Sequence, residues 1–199
     1  MITLEYARGH VHARTYACLK RLLAAAFLGV GLAAVQVGEP AASAGEPARN
    51  TLAVLPFEIK DTSGEVGAPD RHDAMLARLT RFVGARIAAA EIMDVVDQIR
   101  VGAAVTAANP GTYLRNCNGC ERDIAKSVGA DLVMIGWLFK VSTLVLSLHV
   151  VVKDVASGQI LYARTFDFRG DNEKAWTRAA DYMVDALARS TKREIKSTN

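Results

Sequence analysis

From Leu144 to Val155 the chain alternates, with Leu144, Leu146, Leu148, Val150 and Val152 on one side and Ser147, His149 and Lys153 on the other. Period two of that length predicts a half-buried strand. Ala156-Ser157-Gly158 predicts a turn into a further strand over Gln159 to Phe168, so the two form an antiparallel hairpin. The apolar run Asp131 to Val141 predicts the strand before them, Thr51 to Phe57 a short buried strand ended by Pro56, and Ile92 to Val96 another.

The period changes elsewhere. Met75, Leu76, Leu79, Phe82, Val83 and Ile87 recur at spacings of three and four and predict one helix from Asp70 to about Ala90 with a single buried face. Residues 98–108 predict a second helix, stopped by Asn109-Pro110-Gly111, and Glu121 to Val128 a third, ended at Gly129. Asp171 or Asn172 is expected to cap a last helix whose buried face is Trp176, Ala179, Ala180, Met183, Val184 and Leu187. Asp61 to Pro69, with Ser63, Gly64, Gly67 and Pro69, predicts a turn-rich surface loop. The order gives a single-domain α/β sandwich with a mixed sheet, a βαβ unit followed by an antiparallel strand meander, with helices packed on it. Its expected core includes Leu52, Val54, Leu79, Ile135, Leu146 and Val150.

Ahead of this domain the pattern is that of a secretion leader. Basic residues end at Lys20-Arg21, an uncharged apolar stretch runs from Leu22 to Val37, and Ala42-Ser43-Ala44 supplies a small-x-small cleavage site before Gly45. The organisation expected is a signal peptide over residues 1–44, a linker over 45–50 and one α/β domain over 51–199. The apolar stretch is shorter than the roughly 20 residues a bilayer span needs, so no stable membrane span is expected after cleavage. Cys18 precedes the apolar run, where a lipid-bearing cysteine has to follow it.

Composition narrows the partners. The chain is 51% hydrophobic and 23% charged with a formal net charge of +3. Residues 1–44 hold four of its 24 basic and two of its 21 acidic residues, which leaves the remainder close to neutral. The clustered excess of Lys and Arg that phosphate binding requires is missing, so no nucleic-acid partner is expected.

Cys117-Asn118-Gly119-Cys120 is the one constellation that carries chemistry. In an oxidising compartment, with Asn-Gly favouring a turn, the pair is expected to form a disulfide. So small a ring contributes about 2 kcal/mol by loop entropy, enough to pin the loop and too little to hold the fold. The alternative is a redox pair, because the N–H groups at the start of the following helix lower a thiolate pKa. No metal site is expected, since besides the two cysteines only His72 and His149 offer imidazoles in the exported part and their spacing fits no zinc pattern. Glu121 stands where haem attachment needs histidine. No G-x-S-x-G, H-E-x-x-H or P-loop pattern is present, so no catalytic residues and no cofactor are assigned. Asp94 with Asp97 and Asp181 with Asp185 are expected to be solvated surface pairs, and Arg169-Gly170-Asp171 is expected to make the strand-to-helix turn.

Two levels of resemblance follow from these residues. "LAVLPF", "GADLVMIG" and the hairpin "VVVKDVASGQILYARTFDF" resemble the small domain at the N-terminus of the Tol-system β-propeller protein and in penicillin-binding-protein activators. "CNGCE", "GADLVMIGWLFKVSTLVL" and "RGDNEKAWTRA" resemble a family of proteobacterial exported proteins that carry a domain of unknown function. The resemblance implies a fold and an exported location and brings no activity with it.

Trp137, Lys140, Arg169, Trp176 and Arg178 are the candidate binding residues, because Trp and Arg combine contact area with a polar handle. Trp137 in a strand and Trp176 on an apolar helix face are expected to pack inward, whereas Lys140 and Arg178 are expected to be exposed. The expected function is that of an exported periplasmic accessory protein that binds an envelope protein, through a surface joining the Cys117–Cys120 loop to the Arg169–Arg178 junction. The alternative is a periplasmic thiol-disulfide protein.

Overall fold

Pro56 sets the geometry of the first strand. In the computed structural model, which describes residues 49–65 and 69–198, the strand expected over Thr51 to Phe57 ends at Val54, and an additional strand follows Pro56 and reaches the first residue of the expected Asp61–Pro69 loop. β1 (Thr51–Val54) pairs in parallel with the first half of β4 (Leu132–Lys140), and β2 (Glu58–Asp61) pairs in parallel with its second half. Between them the chain bends so that the Phe57 ring lies over Gly136, where a Cβ would clash with the ring carbons. Gly136 is therefore the position in β4 that admits the bend.

The remaining helices and strands follow in the expected order, with one 3₁₀ turn added. They are α1 (Pro69–Ala89), β3 (Asp94–Val95), α2 (Gln98–Ala108), a 3₁₀ turn (Leu114–Asn116), α3 (Cys120–Ser127), β4, β5 (Leu146–Asp154), β6 (Ile160–Phe168) and α4 (Glu173–Thr198). Asp97 caps α2 by accepting from the amides of Ile99 and Arg100, and Asn109, at φ 38°, ends it in the left-handed conformation before Pro110. Asn172, not Asp171, caps α4, its Oδ1 accepting from the amide of Ala175 at 3.0 Å. Asp171 is turned inward instead.

The fold is a mixed α/β domain in which a six-stranded sheet of order β3-β1-β4-β5-β6, with β2 also on β4, is packed by helices. The strands up to β4 are parallel, and β5 and β6 add an antiparallel meander. One face buries Leu52, Val54, Met134, Leu138, Leu148 and Val150 under α1 and α4. The other buries Ala53, Leu55, Val133 and Ile135 under α2, α3 and the 3₁₀ turn. This second layer stops at β4, so the corresponding side chains of β6 are left open, Leu161 among them. The chain divides into two units, Met1–Ser43 and Ala44–Asn199, and every element described belongs to the second. The expected leader lies outside the described residues. Among these, no helix is long and apolar enough to cross a membrane.

Candidate functional site

Alternation along β4 sends its side chains to opposite layers, and this separates the candidate residues. Trp137 and the Cys117–Cys120 loop lie on the α2–α3 side, while Lys140 and Trp176 belong to the α1–α4 side. The single surface expected to join the cysteine loop to the Arg169–Arg178 junction is therefore split between two faces of the sheet.

On the first side Cys117 and Cys120 stand at disulfide distance, with Cα atoms 5.7 Å apart. Cys120 opens α3, and the next residue, Glu121, is buried, its carboxylate accepting from the Gly119 amide at 3.0 Å and from Lys153 Nζ at 2.7 Å. The two sulfurs and the Glu121 carboxylate lie within 4.8 Å of one another. Sulfurs joined to each other are not metal ligands, and the carboxylate is already spent on the loop amide and the lysine. Trp137 is half-buried, stacked on His149 with ring centroids 4.8 Å apart and planes 4° from parallel. His149 Nδ1 shares a 3.0 Å hydrogen bond with Thr165 Oγ1, and burial pulls the imidazole below its ordinary pKa.

On the second side the expectation for Lys140 is corrected: it is completely buried. Its ammonium donates to Glu65 Oε2 at 2.7 Å and lies 3.0 Å from Asp171 Oδ2 and 3.2 Å from Asp61 Oδ2. Asp171 Oδ2 also meets His72 Nε2 at 3.0 Å and Arg71 at 2.9 Å. Burial alone would lower the Lys140 pKa, but hydrogen bonds to Glu65, Asp171 and Asp61 carry it above the ordinary lysine value. Burial alone would raise Asp171, but hydrogen bonds from His72 and Lys140 hold it below the usual carboxylate range. Asp61 is likewise held low against burial, by Ser63 and then Lys140. Trp176 is buried and stacks on His72 at 5.7 Å. This network ties the ends of β2 and β4 to the starts of α1 and α4. It is a fixed internal brace, and it takes Lys140 and Trp176 out of any contact surface.

Arg169 and Arg178 are brought together. Both line a cleft of about 680 Å³ between β6 and α4, along with Arg164, Arg189, Arg193 and a single acid, Asp167. Its floor is aromatic: Phe166 meets Tyr182 edge-on at 5.8 Å, and the Arg189 guanidinium lies over the Tyr182 ring at 5.8 Å. Tyr162, buried at the foot of β6, has its pKa raised by burial against the opposing charge of Arg164, Arg189 and Arg193. Two sequence signals locate the cleft. Arg178, Tyr182, Ala186, Arg189 and Arg193 repeat at spacings of four, four, three and four along one stripe of α4, and Tyr162, Arg164, Phe166 and Phe168 share one side of β6. The carboxylate pairs are accounted for separately, since Asp181 and Asp185 accept from Arg86 at 2.6 and 3.2 Å and Asp97 is the cap of α2.

These elements define a one-domain mixed α/β protein with an internally braced sheet end and an arginine-lined cleft along its last strand. The chain belongs to the DUF3280 family, described as "Protein of unknown function (DUF2380)", which matches residues 50–187. Solved structures similar to it include the LpoB C-terminal domain from Salmonella enterica, at 16% identity and TM-score 0.37, covering 63% of this chain and 86% of that one. TolB from Acinetobacter baumannii is similar at 14% identity and TM-score 0.43 over 71% of this chain and 28% of its own. Lipoprotein GNA1162 from Neisseria meningitidis is similar at 14% identity and TM-score 0.46 over 70% and 96%. These likenesses are too distant to carry a role across. No curated protein matches the sequence.

Proposed function

We propose that the chain is an exported protein of the bacterial envelope that works by binding another protein, without turning over a substrate, and that its contact face is the β6–α4 cleft. The export half of this reading rests on the leader, with its basic start, its apolar Leu22–Val37 stretch and its Ala42-Ser43-Ala44 site. The observation that carries the contact half is the cleft itself, where five arginines and two exposed or half-exposed aromatics, Phe166 and Tyr182, converge on one opening. Arg and Tyr are the residue types that anchor protein interfaces. Affinity capture from a periplasmic extract tests it, with the tagged mature chain beside its R169E/R178E variant. The expected result is a partner retained by the first and lost by the second at unchanged melting temperature. Equal capture by both removes the cleft as the contact face.

A second reading, thiol-disulfide exchange at Cys117 and Cys120, is favoured by the place of Cys120 as the first residue of α3, where the helix's N-terminal N–H groups favour a thiolate. Thiol titration in graded redox buffers decides between them: a structural bond stays oxidised down to strongly reducing potentials, whereas a catalytic pair titrates near that of its compartment.

A further inference from the structure

We propose that the cleft takes an acidic, extended polypeptide segment, laid as an added strand along the free edge of β6 with its carboxylates against the arginines. This rests on the contact reading above and names the chemistry of the partner.

Charge supplies the first support. Among the described residues, none of Arg164, Arg169, Arg178, Arg189 and Arg193 has a carboxylate within ion-pair distance. Elsewhere on the domain Arg71, Arg78, Arg86 and Arg115 each do, Arg100 and Arg122 donate to backbone carbonyls, and Arg81 stands by itself without a partner among the described residues, so the cleft is distinguished by five such guanidiniums gathered at one opening. Five guanidiniums with no carboxylate partner among the side chains described, opposite one acid, hold like charges together in a concave space, and the ligand that relieves this carries carboxylates, which the guanidinium fork binds bidentately.

Backbone geometry supplies the second. β6 is nine residues long and, among the described residues, pairs with β5 alone, so its outer edge presents unpaired N–H and C=O groups beside the cleft. A polypeptide matches both kinds of group in register, and a glycan or a lipid headgroup does not. The Tyr162 hydroxyl adds a buried polar atom without a partner among the described residues, on a residue only 8% exposed. Charges on an edge strand also serve to prevent aggregation, and that role accounts for Arg164. It does not account for Arg178, Arg189 and Arg193, which reach the same opening from α4.

The test uses the mature full chain and four fluorescent or vesicle probes: a nine-residue peptide alternating Glu and Val, the same peptide with Lys for Glu, the Glu peptide N-methylated at alternate residues, and phosphatidylglycerol vesicles. The Glu peptide is expected to bind, with affinity falling as salt rises. The Lys and N-methylated peptides, and the R178E/R189E variant, are each expected to bind about tenfold more weakly or worse, while K126E on the far side of the sheet leaves affinity unchanged. Binding of the N-methylated peptide as tight as that of its parent overturns strand addition. Binding of the Lys peptide as tight as that of the Glu peptide, or binding of vesicles without binding of the Glu peptide, overturns the acidic-segment assignment. Partner capture that is lost in R169E/R178E while no acidic peptide binds overturns this proposal alone and leaves the contact reading standing.

Discussion

Replacing Lys140 by Met tests whether the buried network is the brace the geometry describes. Methionine keeps most of the aliphatic stem and removes the ammonium, so packing is nearly conserved and the charge is isolated as the variable. Three carboxylates lose a donor at 2.7–3.2 Å. Asp61 and Glu65, with side chains 26% and 38% exposed, can take water in its place. Asp171, at 2%, cannot, although Arg71 and His72 still reach its Oδ2. Breaking a buried pair on one side costs about 3–5 kcal/mol, and the remaining donors put this case near the lower end, about 3 kcal/mol. For a domain of this size that is a fall of roughly 6–12 °C in melting temperature. Urea denaturation of wild type, K140M, D171N and K140M/D171N measures it, and the double variant is expected to lose less than the sum of the singles. A K140M protein within about 1 kcal/mol of wild type, or strictly additive losses, would refute the brace.

Acid should unfold the protein through the same carboxylates. Asp61 and Asp171 titrate below their ordinary value when folded, so the stability they contribute is complete above about pH 4 and drains away as pH falls through their lowered pKa values. D171N should therefore show a flatter acid limb in a melting-temperature profile. Lys140 works the other way: its raised pKa makes its contribution complete below about pH 10 and lost only as pH climbs above that. G136A should lose about 1–3 kcal/mol in the same denaturation assay, because its methyl group would meet the Phe57 ring, and F57L should restore part of the loss. C117S/C120S should remain folded by circular dichroism and lose about 2 kcal/mol, the size of the loop it closes.

What the sequence discloses here is what local period and local caps encode. The strict alternation of Leu146, Leu148, Val150 and Val152 locates β5, and Asp97 and Asn109 mark both ends of α2. β2 escapes such reading because Glu58–Asp61 is short and half polar, and it becomes a strand only through its register with Trp137–Lys140. Lys140 escapes for a related reason. At the end of an apolar strand a lysine reads as exposed, and its hydrogen-bond partner Glu65 stands 75 residues away in the chain. Of the candidate surface, Arg169 and Arg178 fall in the cleft, whereas Lys140 and Trp176 fall in the brace behind it. The stripe that completes the cleft, Arg178 to Arg193, lies beside the buried face of α4, and it gains meaning only once β6 is known to run alongside.

The central claim is that this protein acts by contact through the β6–α4 cleft. A photo-crosslinking residue placed at Arg178 in the full-length chain, and in parallel at Lys126 on the opposite face, reports contact in intact cells. The account predicts a discrete protein adduct from position 178 and none from position 126, at equal protein levels. Adducts from position 126 alone, or from neither position, would contradict it.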